Sequence, residues 1–185
     1  NGGHPGVFLA ALLLLAVLGV SRSGEAELDM LDVGQGDACY LQTKEGYHLF
    51  VDGGSSNVGK VGTYRILPFL KYKGVKKIDC WVVSHTDEDH ISGLREILSS
   101  GYPVEYLAVA EQMPRDENWE ELEALAEDVG TKVVWLGRGD IWHFGNATFT
   151  ALHPGESEDA FGGQSVDKNE ESLVLFYQED DFAGV

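Results

Sequence analysis

Four side chains that commonly bind metal ions lie within six residues of one another: His85, Asp87, Asp89 and His90. They directly follow the apolar, strand-like residues 80–83. Two imidazoles and two carboxylates form a mixed nitrogen and oxygen donor set, which suits zinc or manganese. A loop that leaves a strand can direct alternate side chains toward one point. The cluster therefore predicts a metal site, and the alternative to weigh against it is a solvated acidic turn.

The composition indicates one folded domain with an acidic surface. The chain has 185 residues, of which 43% are hydrophobic, and its 31 acidic and 13 basic residues give a net charge of −18. A polyanion such as DNA is repelled by that charge. We find no basic stripe and no aromatic platform beside Lys or Arg, so we expect weak DNA affinity from this chain alone. Cys39 and Cys80 are far apart and predict buried thiols rather than a disulfide framework.

The N-terminal segment contains a continuous apolar run at residues 7–20. Its 14 residues are fewer than the roughly 20 needed to span a bilayer. Three interpretations remain open: the end of a transmembrane helix, the hydrophobic region of a signal peptide, or a buried core helix. The run has no polar face, which favours the membrane helix. We therefore divide the chain into residues 1–24, the end of a transmembrane or signal-like segment with a linker, and residues 25–185, a folded domain.

From residue 25 onward, the pattern of apolar residues indicates an α/β fold. Three short apolar runs separated by glycine-containing turns predict an antiparallel meander, and strands then alternate with helices. The predicted strands cover residues 26–33, 38–43, 47–51, 78–83, 104–109, 132–136, 140–144, 147–152 and 172–177. The predicted helices cover residues 63–72, 91–98 and 116–129. Pro68 marks a start or a bend in the first helix, and Asp116 and Gly130 are expected to cap the last.

Residues 85–90, His-Thr-Asp-Glu-Asp-His, resemble the HxHxDH signature of the metallo-β-lactamase superfamily, with Asp87 in place of the usual second His. Five further segments agree in order with the extracytoplasmic domain of the ComEC family of DNA-internalisation competence proteins. They are residues 31–37 (LDVGQGD), 51–54 (VDGG), 65–71 (RILPFLK), 152–154 (LHP) and 169–175 (NEESLVL). The resemblance implies an α/β (α+β) fold of the metallo-β-lactamase type, an αββα sandwich. Residues 25–185 would be its N-terminal part, so that the sandwich is expected to be incomplete at the C-terminus.

The resemblance also implies a centre of two divalent metal ions. By position, His85 and Asp87 would bind one ion, and Asp89 and His90 the other. The carboxylate of Asp87 is a harder donor than imidazole, so it should shift the preference from zinc toward manganese, with magnesium as a further option. His153, in the Leu-His-Pro segment, is a candidate for an additional ligand, although a lone His before Pro is more often a loop residue.

The remaining site residues are expected to have catalytic, supporting or loop-shaping roles. Asp89 and Asp37 are the candidate catalytic residues, although the loop of Asp37 is also consistent with a tight hairpin in which glycines admit positive φ. Asp52 and Asp32 are the candidates for carboxylates that hydrogen-bond a metal ligand. The residues expected to shape the loops are Gly34, Gly36, Gly53, Gly54, Asn169 and Ser172.

The family implies a hydrolase, and the leading hypothesis is a nuclease domain of a membrane protein for DNA uptake during natural competence. It would degrade the strand that is not transported. Its partners would be single-stranded DNA and the membrane channel domain of the same protein, on the extracytoplasmic side of the bacterial cell membrane. Two alternatives remain: a hydrolase of a small phosphoester or ester, and a degenerate, non-catalytic scaffold of the channel. Family members complete the centre with later ligands, so we expect these 185 residues alone to be inactive.

Overall fold

The computed structural model describes residues 24–154, 172–180 and 182–185. The apolar run at residues 7–20 and the predicted loop residue Asn169 lie outside these ranges. In the part of the chain that the structure describes, no helix has the length and apolar character needed to cross a membrane. Both cysteines are free thiols, with Cys80 buried and Cys39 partly buried.

The described residues form ten strands and three α-helices. The strands are β1 (Glu27–Met30), β2 (Cys39–Gln42), β3 (His48–Val51), β4 (Ile78–Val83), β5 (Val104–Ala110), β6 (Lys132–Leu136), β7 (Ile141–Phe144), β8 (Ala147–His153), β9 (Val174–Glu179) and β10 (Phe182–Gly184). The helices are α1 (Leu67–Lys73), α2 (Glu88–Ser99) and α3 (Glu117–Val129). A π-helical turn at Gly62–Ile66 leads into α1.

The first sheet has six strands in the order β1-β2-β3-β4-β5-β6. Its first three strands pair antiparallel, as the meander pattern predicts. From β3 to β6 the pairing is parallel, and each parallel neighbour is reached through a helical crossover, α1, α2 or α3. All six residues of β4 are buried. Five of the six are apolar, as expected of a central parallel strand covered on both faces, and the sixth, Asp79, pairs with Lys77 at 2.8 Å.

The second sheet has four antiparallel strands in the order β10-β9-β8-β7. It packs on one face of the first sheet while the helices cover the other. Aromatic contacts join the sheets: the ring centroids of Tyr47 and Phe144 lie 5.6 Å apart, and those of Tyr106 and Trp142 lie 5.1 Å apart. The described residues therefore form three layers in the order helix, sheet, sheet.

Helix α3 begins and ends where its capping residues predict. The Asp116 side chain accepts a hydrogen bond from Trp119 N at 2.9 Å, which satisfies one of the free backbone donors of the first turn. Gly130 ends the helix in a left-handed conformation, with φ of 77°. Trp119 itself is fully buried and packs edge-on against Trp135 of β6. The start of α3 is thus fixed both by its cap and by the core.

Three details differ from the sequence prediction. Helix α2 begins at Glu88 instead of residue 91, because Asp87 takes the extended N-cap conformation and the acidic first turn suits the positive end of a helix. The predicted helix 63–72 is divided into the π-helical turn and α1, and α1 starts at Leu67, so a start near Pro68, one of the two options from the sequence, is the one observed; Pro68 lies in the first turn, where no N–H is required. The three-residue β10 was not predicted, since so short a strand leaves no periodic signal.

Candidate metal centre

The candidate ligands gather at one edge of the first sheet, where three loops meet. Since β3 and β4 are parallel neighbours, their carboxyl ends deliver Asp52 and His85 to the same edge. Strand β2 runs antiparallel to β3, so the loop that precedes β2 brings Asp37 to that edge as well. The first turn of α2 supplies His90. Residues far apart in sequence are therefore neighbours at this edge.

Backbone hydrogen bonds tie the three loops to one another. Gly53 N donates to His90 O at 2.8 Å, and Gly54 N donates to Asp37 O at 3.1 Å. Asp37 N donates in turn to Asp89 O at 3.2 Å. The loop of Asp37 therefore spans residues 31–38 and is anchored on the donor cluster. It is wider than the tight hairpin that its glycines also allowed.

Close approach of these loops requires glycine at two positions. A Cβ added at Gly36 would lie 2.6 Å from Asp89 O, and one added at Gly54 would lie 2.5 Å from His90 N. Both distances are shorter than real Cβ atoms show to backbone atoms. Gly34 has a different reason to be glycine, since its φ is 80° in the loop before β2.

The Ser84 hydroxyl and the Asp52 carboxylate together determine the tautomers of the two imidazoles. Ser84 Oγ lies 2.7 Å from Asp52 Oδ2 and 3.0 Å from His85 Nδ1. A hydroxyl has one proton, which Ser84 donates to the Asp52 carboxylate, so His85 Nδ1 must donate to Ser84 Oγ. His90 Nδ1 donates to Asp52 Oδ2 at 2.9 Å. This network assigns the proton of each ring to Nδ1 and leaves each Nε2 lone pair available to a ligand.

Each Nε2 faces carboxylate oxygens just beyond hydrogen-bond distance. His85 Nε2 lies 3.7 Å from Asp87 Oδ2. His90 Nε2 lies 3.8 Å from Asp37 Oδ2 and 4.0 Å from Asp89 Oδ1. The two rings are adjacent, with centroids 3.9 Å apart. The two imidazoles therefore lie side by side. The unprotonated nitrogen of His85 faces Asp87, and that of His90 faces Asp37 and Asp89.

The pKa values of the two imidazoles shift in opposite directions. Burial, followed by the neighbouring His90, lowers the pKa of His85 despite the nearby carboxylates. Burial also lowers the pKa of His90, but the hydrogen bond and charge of Asp52 outweigh it and raise the pKa overall. The carboxylates of Asp89 and Asp37 act in the same direction as Asp52. His85 is thereby kept neutral, the form in which imidazole binds metals.

The donor loop, which carries His85, Thr86 and Asp87, is held in place by hydrogen bonds to the start of α3. Thr86 is fully buried, its hydroxyl donates to Asp116 Oδ2 at 3.0 Å, and its carbonyl accepts from Asn118 Nδ2 at 2.8 Å. Arg95 Nη2 donates to Asn118 Oδ1 at 2.8 Å. Because Asp116 also caps α3 beside the buried Trp119, the loop between the first two ligands is connected to the core.

The other predicted site residues lie at varying distances from the imidazoles. Asp32 is exposed and accepts a hydrogen bond from Gly34 N at 3.3 Å, which is a contact within its own loop. Ser172 Oγ lies 3.5 Å from His85 Nδ1, and Ser172 O accepts from His153 Nδ1 at 3.0 Å. The structure thus links His153 to the site through Ser172 and does not bring Asp32 to it.

Sequence analysis missed three residues that hold the ligands in place: Ser84, Asp116 and Asn118. Ser84 is the residue between β4 and the donor cluster, and a small hydroxyl at the end of a buried strand was the signal available. Asp116 was predicted only as a helix cap. Nothing in the sequence indicated that Asn118 contacts the backbone 32 residues earlier, because that contact depends on how α3 packs.

The donors fit a divalent ion in chemical type, and their spacing is slightly wide for a bound ion. Two ligands about 2.1 Å from one ion at the tetrahedral angle lie about 3.4 Å apart, whereas the nitrogen to oxygen separations here are 3.7 to 4.0 Å. The imidazoles are also held in the tautomer that ligation requires. Within the described ranges, however, no group of three or more His, Cys, Asp and Glu side chains is already placed to share one ion. The donors are present as pairs.

The fold and the donor sequence are those of a known superfamily with a metallo-hydrolase fold. The chain belongs to the metallo-beta-lactamase superfamily, whose family model matches residues 31–167. Among curated proteins it is similar to ComE operon protein 3 of Bacillus subtilis, at 29% identity over 84% of this chain and 21% of that protein. It is also similar to Recombination protein 2 of Haemophilus influenzae, at 30% identity over 69% of this chain and 14% of that protein. These relatives confirm the ComEC-family resemblance, and the chain spans about a fifth or less of their length.

Solved structures confirm the fold. The metallo-beta-lactamase fold protein YhfI from Bacillus subtilis matches with a TM-score of 0.51 at 18% identity, over 80% of this chain and 53% of that one. Zn(2+)-bound PqqB from Methylobacterium extorquens matches with a TM-score of 0.52 at 14% identity, over 94% of this chain and 56% of that one. Members of the superfamily bind divalent metals, which agrees in general terms with the donor set of this chain.

Proposed function

We propose that this chain is the metal-dependent hydrolase domain of a ComEC-like membrane protein for DNA uptake during natural competence. In this proposal it degrades the strand that is not transported, beside the membrane channel domain of the same protein and on the extracytoplasmic side of the bacterial membrane. The observation that carries the catalytic part is the pair of imidazoles whose Nε2 atoms face carboxylates 3.7 to 4.0 Å away. The similarity to the two curated relatives supports the biological setting.

The ligand residues have distinct proposed roles. His85 and Asp87 would hold one divalent ion, and Asp89 and His90 a second. Bound ions of this kind polarise a phosphoryl oxygen and lower the pKa of bound water, which makes hydrolysis possible at neutral pH. Asp52 fixes the ring of His90 through their hydrogen bond. His153, linked through Ser172, is the candidate for an additional ligand.

Asp37 is proposed to accept a proton from the attacking water, in addition to holding neighbouring loops together through its backbone. Its side chain is 60% exposed, and Oδ2 lies 3.8 Å from His90 Nε2. Its backbone N and O are both fixed by hydrogen bonds to the neighbouring loops. A carboxylate so placed can accept the proton that an attacking water loses. Asp89 is the second candidate for this role, since its Oδ1 lies 4.0 Å from His90 Nε2.

Asp87 is proposed to set the metal preference. A carboxylate is a harder donor than the imidazole usual at this position, which favours manganese or magnesium relative to zinc. The variant Asp87→His should shift the preference back toward zinc. Titration of Mn²⁺ and Zn²⁺ into wild type and variant measures the ratio of the two affinities. An unchanged ratio would remove the proposed role of Asp87.

The decisive experiment is hydrolysis by the full-length protein that carries this domain. With Mn²⁺, we expect cleavage of single-stranded DNA that is abolished by His85→Ala and by Asp89→Asn. The matched control is Asp32→Asn, which removes an exposed carboxylate that does not contact the imidazoles. Cleavage of a small phosphodiester or ester without cleavage of DNA would favour the small-substrate hydrolase. DNA uptake that survives both ligand variants would favour the non-catalytic scaffold.

We propose that the 185 residues alone bind metal weakly and are inactive. A zinc or manganese site generally requires three or more protein ligands, whereas the described residues present donors in pairs. Calorimetric titration of Mn²⁺ into the isolated chain should give markedly weaker binding than titration into the full-length protein. Hydrolysis of a phosphodiester by the isolated chain at the rate of the full-length protein would contradict this expectation.

A further inference from the structure

The segment between Asp52 and Asp79 differs in charge from the rest of the chain. It contains no acidic residue, although the whole chain has 31, and it contains six of the 13 Lys and Arg residues. They are Lys60, Arg65, Lys71, Lys73, Lys76 and Lys77. Sequence analysis expected no basic stripe, because the net charge of the whole chain conceals a local excess. The segment includes the loop after β3, the π-helical turn and α1.

Two of these six cations are neutralised within the protein. Lys73 Nζ lies 2.8 Å from Asp29 Oδ2, and Lys77 Nζ lies 2.8 Å from Asp79 Oδ1. The other four are exposed and make no ion pair with the residues that the structure describes: Lys60, Arg65, Lys71 and Lys76. Their charge is therefore available to an anion.

Two tyrosines are exposed on the same helical segment. Tyr64 is 64% exposed and Tyr72 is 86% exposed. Ile66 and Leu70, on the opposite side of the segment, are fully buried against the core. Tyr64, Arg65, Lys71 and Tyr72 thus share the outward side of the helical segment, and the exposed Lys60 and Lys76 flank it. Together these residues form what we call the basic face: Lys60, Tyr64, Arg65, Lys71, Tyr72 and Lys76.

The loop that leads into the basic face starts next to the candidate metal centre. The loop at residues 53–60 starts with Gly53, whose N donates to His90 O at 2.8 Å. Two residues later, Ser55 N donates to Ser92 Oγ at 3.0 Å. The loop ends at Lys60, a non-glycine residue held at φ of 56°. From Gly62 to Lys71 the helical rise covers at most roughly 13 Å. The face therefore runs outward from the centre as an extended track.

We propose that the basic face binds the backbone of single-stranded DNA and guides it to the metal centre, with Tyr64 and Tyr72 stacking on bases. The choice of DNA rests on the proposed function. Exposed cations interleaved with exposed aromatic rings are the combination that binds single strands without sequence preference. An anionic membrane surface fits less well, because a helix lying on lipid carries Trp, Phe or Leu on its lipid-facing side, and none of these is exposed on this helical segment. Elsewhere the acidic surface repels DNA, so this face is where it can approach.

The first test is the binding of a fluorescent oligothymidylate to the purified chain without metal, followed by anisotropy at several salt concentrations. Four phosphate contacts predict a slope of log K against log salt of about −3. The double variant Arg65→Gln/Lys71→Gln should lower the magnitude of that slope by about 1.4 and weaken binding at low salt about tenfold. The matched control Lys132→Gln/Arg138→Gln makes the same charge change at exposed residues outside the face and should leave binding within about twofold.

The second test separates stacking from charge. Tyr72→Ala should weaken oligonucleotide binding about fivefold or more with the salt slope unchanged, whereas Tyr72→Phe should bind as wild type does. Equal losses of oligonucleotide affinity in Tyr72→Ala and Tyr72→Phe would overturn the proposed stacking role of Tyr72. Vesicles containing anionic lipid serve as the competing probe. Binding to vesicles but not to the oligonucleotide, binding to neither, or equal losses in the test and control double variants would overturn the proposal.

Failure here and failure of the proposed function give different results. If the basic face does not bind DNA, the oligonucleotide assay fails while metal-dependent hydrolysis of a small diester by the full-length protein persists. If the metal centre is not catalytic, hydrolysis fails while oligonucleotide binding and its dependence on Arg65 and Lys71 persist. The two proposals can therefore be rejected independently.

Discussion

Asp52 and His90 are joined by a 2.9 Å hydrogen bond between Oδ2 and Nδ1, and Asp52 makes it from a left-handed backbone conformation with φ of 54°. The same carboxylate accepts hydrogen bonds from the backbone N and the hydroxyl of Ser84. A non-glycine residue in this conformation is uncommon, although Asp tolerates it better than most. The turn after β3 thereby directs the Asp52 carboxylate at His90 and at Ser84, which in turn contacts His85.

The variant Asp52→Asn should weaken metal binding more than it weakens the fold. It removes the charge that holds the His90 proton on Nδ1, and losing such a support typically reduces metal affinity about 10- to 100-fold. Calorimetric titration of Mn²⁺ and thermal unfolding of the same samples measure the two effects. Asp32→Asn, in the exposed neighbouring loop, should change neither. Equal metal affinity in both variants would contradict the role of Asp52.

The variant Asn118→Leu should loosen the donor loop. It leaves the carbonyl of buried Thr86 without its hydrogen bond, which costs about 1 to 3 kcal/mol in unfolding free energy. We also expect weaker metal binding, because Thr86 lies between His85 and Asp87. Urea unfolding and metal titration report these effects, with Glu117→Gln, an exposed change one residue away, as the control. Wild-type metal affinity in a destabilised Asn118→Leu variant would show that the contact is only structural.

The variant Gly54→Ala should disrupt the centre, while Gly59→Ala in the same loop should not. The added Cβ at Gly54 would lie 2.5 Å from His90 N, so the loop must move away from the first turn of α2. No atom lies within 4 Å of a Cβ added at Gly59. Circular dichroism and Mn²⁺ titration of both variants test this difference. Indistinguishable behaviour of the two would mean that the close approach of these loops is not required.

His48 should make stability depend on pH. Its Nδ1 lies 2.7 Å from the Tyr40 hydroxyl, and burial lowers its pKa below the ordinary value of 6.5 despite the opposing charge of Asp79. The unfolded chain therefore binds a proton at higher pH than the folded chain does. The resulting stability is complete above about pH 6.5 and is lost as the pH falls below it.

The variant His48→Gln removes this titration and isolates its effect. Its unfolding free energy should fall less than that of wild type between about pH 7 and about pH 5.5, measured by urea unfolding at each pH. His143→Gln replaces an exposed histidine and should retain the wild-type slope. A His48→Gln variant with the wild-type pH dependence would exclude His48 as its source.

The order and type of the elements could be predicted because their signals are local. The strand at Ile78–Val83 and the strand at Lys132–Leu136 agree with the predicted bounds to the residue, since each is a compact apolar run between polar turns. The capping of α3 was also readable from Asp116 and Gly130. The start of α2 was misplaced, because Glu88 and Asp89 belong to the donor cluster and to the first helical turn at once.

By itself the sequence determined which donors are present, their order from His85 to His90, and the superfamily to which they belong. The family resemblance led us to expect Asp37 and Asp52 at the site, whereas only the tertiary structure decided which of their atoms face the imidazoles and that Ser84 joins them. The reason is that parallel pairing of β3 with β4, and antiparallel pairing of β2 with β3, set which loop ends share a sheet edge. That register depends on packing between distant segments, and no local pattern of residues records it.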